Sequence, residues 1–185
     1  MSPESEYNIL IAPVGEFDPA LFAPVSREIQ RIFGYPTQVR PLLEDLTFAL
    51  DPNRDQYHST PILEKLAREA PPSAVKVLAL VPVDLFIPIL THVYGEAQLG
   101  GKASIVSTYR LNDGPSAMNI QGNCLGRVIK EAIHELGHTF NLRHCQDHTC
   151  IMHYCRSEAD VDRKSDQLCR YCKVFLDDER KRLAL

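Results

Sequence analysis

The densest group of chemically active side chains lies in the stretch HELGHTFNLRHC, residues 134–145. His134 and His138 stand four residues apart, a spacing that places both imidazoles on one face of a helix. Glu135 is rotated by about a quarter turn from His134 and reaches the side of a bound ion where a water would sit. Two imidazoles and a carboxylate suit a zinc ion that activates water, with Glu135 as general base. The pattern HExxH also occurs by chance, and the alternative is an amphipathic helix with exposed histidines.

A third histidine, His144, can join the other two only if the helix stops before it. In a continuing helix His144 would lie about 9 Å further along the axis and nearly on the opposite face. The chain must therefore break after Phe140 and fold back through a residue in the left-handed conformation. Asn141 stands at that position, and asparagine is second only to glycine in its tolerance of this conformation. We predict the turn, at a cost of roughly 1 kcal/mol relative to glycine.

A second candidate site comes from cysteines, because five of the six in the chain lie within residues 145–172. The first 15 residues lack the basic and apolar segments of a signal peptide, so we expect the cytoplasm, where thiols stay reduced. Metal binding is therefore favoured over disulfides. A tetrahedral structural zinc needs four thiolates, and spacing alone leaves Cys150 and Cys155 as rivals for one position. A redox role for the Cys169–Cys172 pair is disfavoured, since no predicted strand precedes it.

Composition excludes several classes of protein. The net charge of -4 and the pI near 6.0 argue against a nucleic-acid-binding surface, which needs clustered Lys and Arg. No run approaches the roughly 18 apolar residues of a membrane helix. With 44% hydrophobic and 24% charged residues in 185, we expect one globular domain with a small appendage.

The apolar patterns predict alternating strands and helices, the order expected of an α/β fold with a mostly parallel sheet. The most apolar run, VKVLALV, predicts a central strand that is covered on both faces. Predicted strands lie at 8–15, 37–43, 75–81 and 103–111, and predicted helices at 19–33, from 59 to about 70, from 123 to about 140, and at about 160–183.

The motifs together resemble one known family. HELGHTFNLRH matches the metzincin zinc signature HExxHxxGxxH, with Asn141 in place of glycine. The spacing of Cys145, Cys150 and Met152, the CRYC stretch at 169–172 and the segment GEAQLGGKASIVS resemble the archaemetzincin family of metzincin metallopeptidases. The resemblance covers about residues 94–172. The interval between Met152 and Cys169 is one residue shorter than in the family pattern.

The resemblance implies a metzincin-like α/β fold: a twisted, mostly parallel sheet with an antiparallel edge strand, an active-site helix and a small zinc-stapled C-terminal subdomain. It implies two zinc ions per chain, and Met152 as the Met-turn, an apolar floor beneath the catalytic ligands. We divide the chain into an N-terminal subdomain, 1–144, and a C-terminal subdomain, 145–185. The implied ligands are His134, His138 and His144 for the catalytic zinc, and Cys145, Cys150, Cys169 and Cys172 for the structural zinc.

Some residues keep alternative interpretations. Glu158 lies about where another protease class, the gluzincins, places a third zinc ligand, although His144 and Met152 disfavour that class. Tyr154 is either a packing residue or a residue that helps to stabilise the oxyanion. The strand at 103–109 is either the upper rim of a cleft, since an antiparallel edge strand pairs with extended peptide substrate in the metzincin fold, or simply an edge strand. We assign His148 and His153 to a loop, without a ligand role.

The predicted function is a zinc metallopeptidase that hydrolyses a peptide or protein substrate. The alternative is a zinc-stabilised peptide-binding protein that does not cut, although a pure binder has no need of Glu135. A zinc-ribbon nucleic-acid binder is disfavoured by the acidic pI. We expect a monomer without a membrane or nucleic-acid partner.

Overall fold

The computed structural model describes residues 7–111 and 123–183, and within these ranges the chain forms nine strands and five α-helices. The strands are β1 (Asn8–Pro13), β2 (Thr37–Val39), β3 (Leu50–Asp51), β4 (Gln56–His58), β5 (Ala74–Val81), β6 (Leu85–Ile87), β7 (Leu90–Val93), β8 (Gly95–Ala97) and β9 (Ala103–Ser107). The α-helices are α1 (Phe22–Phe33), α2 (Ser59–Glu69), α3 (Asn123–Thr139), α4 (Glu158–Arg163) and α5 (Arg170–Leu183). Short 3-10 helices cover Pro19–Leu21 and Thr47–Ala49.

The main sheet has five strands in the order β2-β1-β5-β9-β8. The pairings of β1 with β2, β1 with β5 and β5 with β9 are parallel, and β8 pairs with β9 antiparallel. The predicted mostly parallel sheet with an antiparallel edge is therefore confirmed, with β5 at its centre. None of the helices among the described residues is long and apolar enough to cross a membrane.

The predicted position of the antiparallel edge strand is wrong. β9 lies inside the sheet between β5 and β8, and all five of its residues are buried. Its uniformly small or apolar sequence, ASIVS, is typical of a strand that is covered on both faces. The edge strand is instead β8, Gly95–Ala97, which a turn at Gly100 and Gly101 joins to β9.

A second sheet, β3-β4-β6-β7, was not predicted. Its strands are only two to four residues long. The stretch around them contains Pro82 and Pro88, which obscure a strand pattern because proline cannot donate a ladder hydrogen bond. The hairpin of β6 and β7 leads directly into the edge strand β8.

The core consists of two apolar clusters on opposite faces of the main sheet, because successive strand residues point to opposite sides. On one face Ile9, Leu78 and Val106 pack against α1 and α3. On the other face the neighbouring residues, such as Leu10 and Ile105, pack against α2. The helix that carries the HELGH motif, α3, therefore packs on a fully buried face of the main sheet.

The predicted final helix at 160–183 is two helices, α4 and α5, so that prediction is wrong. α4 begins with a capping box between Ser157 and Asp160. The chain then leaves helical geometry at Lys164 and forms backbone hydrogen bonds to the preceding loop, including Ile151 N–H to Gln167 O at 2.9 Å. Residues of both helices join the cluster that also contains α1 and α3. The division of the chain at residue 144 stays a prediction.

Candidate metal centres and active-site cleft

The predicted turn at the end of α3 is present. Asn141 has a φ of 64°, in the left-handed region. Asn141 N–H donates to His138 O at 2.9 Å, and Leu142 N–H donates to Gly137 O at 3.0 Å. This pair of bonds is the Schellman motif that commonly ends helices. The chain therefore reverses directly after α3 and brings His144 back toward the helix.

The three histidines converge. Each residue offers one imidazole nitrogen atom as a ligand, and the three nitrogen atoms lie within 4.8 Å of one another. The imidazole centroids are 4.7 Å apart for His134 and His138, 4.9 Å for His138 and His144, and 5.3 Å for His134 and His144. The arrangement fits a single metal ion among the three rings.

Backbone carbonyls fix the orientation of two of the imidazoles. Nδ1 of His134 is 2.9 Å from Ile151 O, and Nδ1 of His138 is 2.7 Å from Leu142 O. Because a carbonyl oxygen only accepts, both Nδ1 atoms carry hydrogen and both Nε2 atoms carry a lone pair. Carbonyl groups commonly orient metal-bound histidines in this way.

The two Nε2 atoms face each other at 3.2 Å. Burial lowers the pKa of His134 well below its usual value and that of His138 to about 4, so both rings are neutral near pH 7. Two lone pairs at this distance repel each other unless a cation lies between them. The donor set therefore fits a zinc ion.

Met152 lies directly beneath the histidine-bearing helix. It is fully buried, and a Cβ atom placed on Gly137 would be only 2.5 Å from Met152 Sδ. Gly137, between the two helical histidines, therefore allows the methionine to approach the helix backbone. The sequence analysis did not assign Gly137 a role, since a glycine inside a helical pattern carries no local signal for a tertiary contact.

Glu135 is buried beside the edge strand β8. A Cβ atom on Gly95 would lie 2.7 Å from Glu135 Cγ and 2.5 Å from Ile105 O, so only glycine leaves room for this carboxylate. Burial and then the neighbouring Glu131 raise the pKa of Glu135 well above its usual value. Gly95 belongs to the segment that carries the family resemblance, but its contact with Glu135 could not be inferred from the pattern.

An open cavity of about 690 Å³ contains the candidate catalytic residues. Edge strand β8 and the β7 hairpin line one side, and Glu135 and the three histidines line another. Tyr154 also lines it, with its ring centroid 5.0 Å from that of His144. Glu158 instead hydrogen-bonds Tyr94. Among the described residues the only groups with three or more potential metal ligands are the three histidines and four cysteines, and Glu158 belongs to neither group.

A buried ion pair lies behind His134. Lys164 Nζ is 2.8 Å from Glu131 Oε1, and both side chains are at most 5% exposed. Lys164 Nζ is also 3.5 Å from His134 Nδ1. The pair joins α3 to the C-terminal end of α4. The sequence analysis missed it, because neither residue stands in a recognised motif.

A second buried lysine holds the end of α3. Lys76, on the central strand β5, donates to Thr139 O at 2.6 Å and to Gly101 O at 2.7 Å. Thr139 is the last residue of α3, where a positive charge is favourable because the helix dipole is negative at that end. Gly100 N–H donates to His138 O at 2.9 Å. The terminal carbonyls of the helix are thus bound by the sheet and by the turn before β9.

The four predicted cysteines also converge, with all sulfur atoms within 4.8 Å of one another. Cys145 Sγ is 3.7 Å from Cys169 Sγ, and Cys169 N–H donates to Cys150 Sγ at 3.3 Å. Burial raises the pKa of Cys150 and of Cys172. Cys155 lies outside the group, with Sγ 3.6 Å from His153 O. The geometry favours Cys150 over Cys155 and fits a tetrahedral zinc.

Comparisons with known proteins identify the family. A family model described as Peptidase family M54 matches residues 71–178, more than half of the chain. The archaemetzincin of Methanocaldococcus jannaschii is 33% identical over 171 residues, which cover 92% of this chain and 93% of that protein. The chain belongs to the archaemetzincin family. It is therefore a zinc metallopeptidase, a hydrolase that uses a metal ion.

Other archaemetzincins agree in sequence and in structure. The archaemetzincin of Methanopyrus kandleri is 40% identical over 129 residues, 70% of each chain. A crystal structure of a Methanopyrus kandleri archaemetzincin superposes with a TM-score of 0.80 at 31% identity, and covers 98% of this chain and 99% of that one. The structure of Archaeoglobus fulgidus archaemetzincin complexed with malonate has a TM-score of 0.76 at 30% identity, and covers 91% and 99%. The predicted archaemetzincin fold is confirmed.

Proposed function

We propose that this archaemetzincin cleaves peptide bonds at a zinc held by His134, His138 and His144, with Glu135 as general base. The main support is the pair of Nε2 lone pairs that face each other at 3.2 Å, beside a third imidazole and a buried carboxylate in one cavity. Zinc bound there would supply Lewis acidity, which lowers the pKa of a coordinated water and polarises a carbonyl.

Glu135 takes the proton from the attacking water and later gives it to the leaving amine. Its position follows from Gly95, which lets the carboxylate lie against the edge strand without a clash. Burial keeps competing water away from the carboxylate, which strengthens its interaction with the transferred proton. Tyr154, whose ring lies 5.0 Å from that of His144 and is tilted by 52° against it, keeps its alternative role as a group that helps to stabilise the oxyanion.

The substrate binds along β8. β8 forms the edge of the main sheet, so one row of its backbone N–H and C=O groups is available to an extended peptide. Glu96 of β8 accepts hydrogen bonds from Ser59 Oγ and Thr60 Oγ1 at the start of α2. These bonds fix the strand to the rest of the protein and keep it in place for peptide pairing.

A second zinc, on Cys145, Cys150, Cys169 and Cys172, has a structural role, so that each chain holds two zinc ions. Four thiolates leave no open position for a substrate. Met152, packed on Gly137, forms the Met-turn beneath the catalytic ligands. We further propose that the protein acts as a monomer in the cytoplasm.

The deciding experiment combines Glu135→Gln with metal analysis. The purified protein should contain two zinc ions and cleave a peptide library, whereas Glu135→Gln should keep both ions and lose cleavage by about 10²- to 10⁴-fold. The matched control is Glu64→Gln, which makes the same change at an exposed position on α2. Full activity of Glu135→Gln would contradict the assignment of the base.

The alternative, a zinc-stabilised peptide-binding protein, makes a different prediction. It should contain one zinc, held by thiolates, and should bind peptides without cutting them, even after zinc is added back. The opposed lone pairs of His134 and His138 favour the peptidase, because a binding protein has no need of a second metal centre.

A further inference from the structure

A second pair of imidazoles lies outside the proposed catalytic centre. His148 Nδ1 is 3.1 Å from His153 Nε2, the ring centroids are 4.6 Å apart, and the ring planes meet at 69°. For His134 and His138 the corresponding values are 3.2 Å, 4.7 Å and 89°. The two pairs have nearly the same geometry, although the sequence analysis gave His148 and His153 no ligand role.

The orientation of His153 is fixed in the same way as that of the catalytic histidines. Its Nδ1 is 2.8 Å from Cys145 O, so Nδ1 carries hydrogen and Nε2 carries the lone pair. The backbone is held as well: His153 N–H donates to Cys150 O at 2.9 Å, and residues 145 and 153 form a β-bridge. The lone pair of His153 is thus directed at the ring of His148.

The surroundings of the pair suit a cation. His148 is exposed, so an ion from solution can reach it. Asp147 is its neighbour in the chain, and its carboxylate accepts hydrogen bonds from Thr149 N–H at 2.9 Å and from Thr149 Oγ1 at 2.8 Å. An acidic residue therefore adjoins the exposed histidine of the pair in the chain.

We infer that His148 and His153 bind a third, exchangeable divalent metal ion, with zinc as the first candidate and water in the remaining positions. Imidazole ligands suit zinc, copper and nickel. Two protein ligands hold an ion more weakly than three or four, so this ion exchanges while the other two stay bound. When bound, it links the loop between Cys145 and Cys150 to the segment after Met152.

The test is a zinc titration of the complete protein, first loaded at both proposed sites and then dialysed against a weak chelator. Equilibrium dialysis with metal analysis should show that the protein takes up one more zinc ion than its His148→Asn variant. Since a ligand of the folded state raises the melting temperature, added zinc should raise it for the protein and not for His148→Asn. The control is His58→Asn, because His58 lies elsewhere, at the N-cap of α2, where asparagine is well tolerated.

Equal uptake of zinc by the protein and by His148→Asn would overturn the proposal. The same conclusion would follow if His58→Asn lost as much zinc as His148→Asn. In both cases the 3.1 Å contact is a simple hydrogen bond, in which His148 Nδ1–H donates to His153 Nε2. The comparison measures a difference between variants with intact catalytic residues. The proposed function is tested separately, by the activity of Glu135→Gln and by the content of the first two zinc ions. Its failure can therefore be distinguished from a failure of the third metal site.

Discussion

The histidine group and the cysteine group differ in what positions their side chains. Two of the three histidines stand on α3, and a Schellman turn brings in the third. Of the four cysteines, two lie in the irregular segment 140–157, one precedes α5 and one lies in its first turn. Regular structure and carbonyl hydrogen bonds therefore orient the histidines, whereas we expect the cysteine region to depend more on the proposed structural zinc.

This difference suits the two tasks. A catalytic ion needs an open position in a cavity that stays in place without it, and the histidines line such a cavity. A structural ion would tie together segments that lack regular structure, in addition to the core contacts that Ile151 and Met152 make. The two regions remain linked, because His144 and Cys145 are consecutive and their Cα atoms are about 3.8 Å apart. Loss of order in the cysteine region must therefore displace His144.

The largest effect is expected from loss of the cysteine site, which should disturb the histidine site, whereas loss of the histidine site should leave the fold intact. Cys172→Ser should remove the structural zinc, disorder the C-terminal segment and weaken the histidine site. The free energy of unfolding should fall by several kcal/mol, since the binding of structural zinc to zinc-finger peptides contributes about 10–16 kcal/mol. His138→Ala should lose one zinc and all activity but keep the fold. Metal analysis and thermal unfolding followed by circular dichroism measure both variants. A Cys172→Ser protein with an unchanged melting temperature would show that the segment does not need its metal.

A smaller effect is expected from Lys164, which lies between the two regions. Lys164→Met should lower the free energy of unfolding by about 3–5 kcal/mol, because it leaves the buried Glu131 carboxylate without its partner. The double variant with Glu131→Leu should recover most of this loss. Urea unfolding measures both effects, with the exposed Lys173→Met as control. Equal losses for Lys164→Met and the double variant would show that the charge pair is not the cause.

Gly95→Ala should separate catalysis from metal binding. The added methyl group would displace Glu135 or the edge strand, and a shift of about 1 Å in a reacting group lowers activity by about 100-fold. Both zinc ions should remain, as metal analysis can verify. Gly126→Ala on α3 is the matched control, since its Cβ meets no atom within 4 Å. If both variants cleave peptides at the same rate, Gly95 does not position the base.

The smallest effect concerns the turn that completes the histidine group. Asn141→Gly should change the free energy of unfolding by less than about 1 kcal/mol, because glycine removes strain at a φ of 64° but gains freedom in the unfolded chain. Asn141→Val should lower it by about 1–2 kcal/mol and weaken zinc binding, since a β-branched residue tolerates this φ poorly. Urea unfolding at fixed zinc concentration measures both. An Asn141→Val protein of unchanged stability would contradict the role of the turn.

What could be predicted from sequence was local. The spacing of His134 and His138 and the turn at Asn141 depend on helix geometry within about ten residues, and both are present. The partners that hold the site lie far away in sequence, such as Lys164 behind His134 and Gly95 against Glu135. No local pattern shows which lysine is buried or which glycine faces a side chain. The same limit explains why β8, with only three residues, was not recognised as the edge strand.

The contact of Lys76 with the end of α3 has a consequence for acidic solutions. Burial lowers the pKa of Lys76 to about 8, and the ammonium donates to two carbonyl oxygens rather than to a carboxylate. Acid neutralises carboxylates and protonates the imidazoles of the proposed zinc site, but it does not remove this anchor. We therefore expect a protein that has lost its zinc in mild acid to keep this helix docked on the sheet. It should then bind zinc again when the pH is restored.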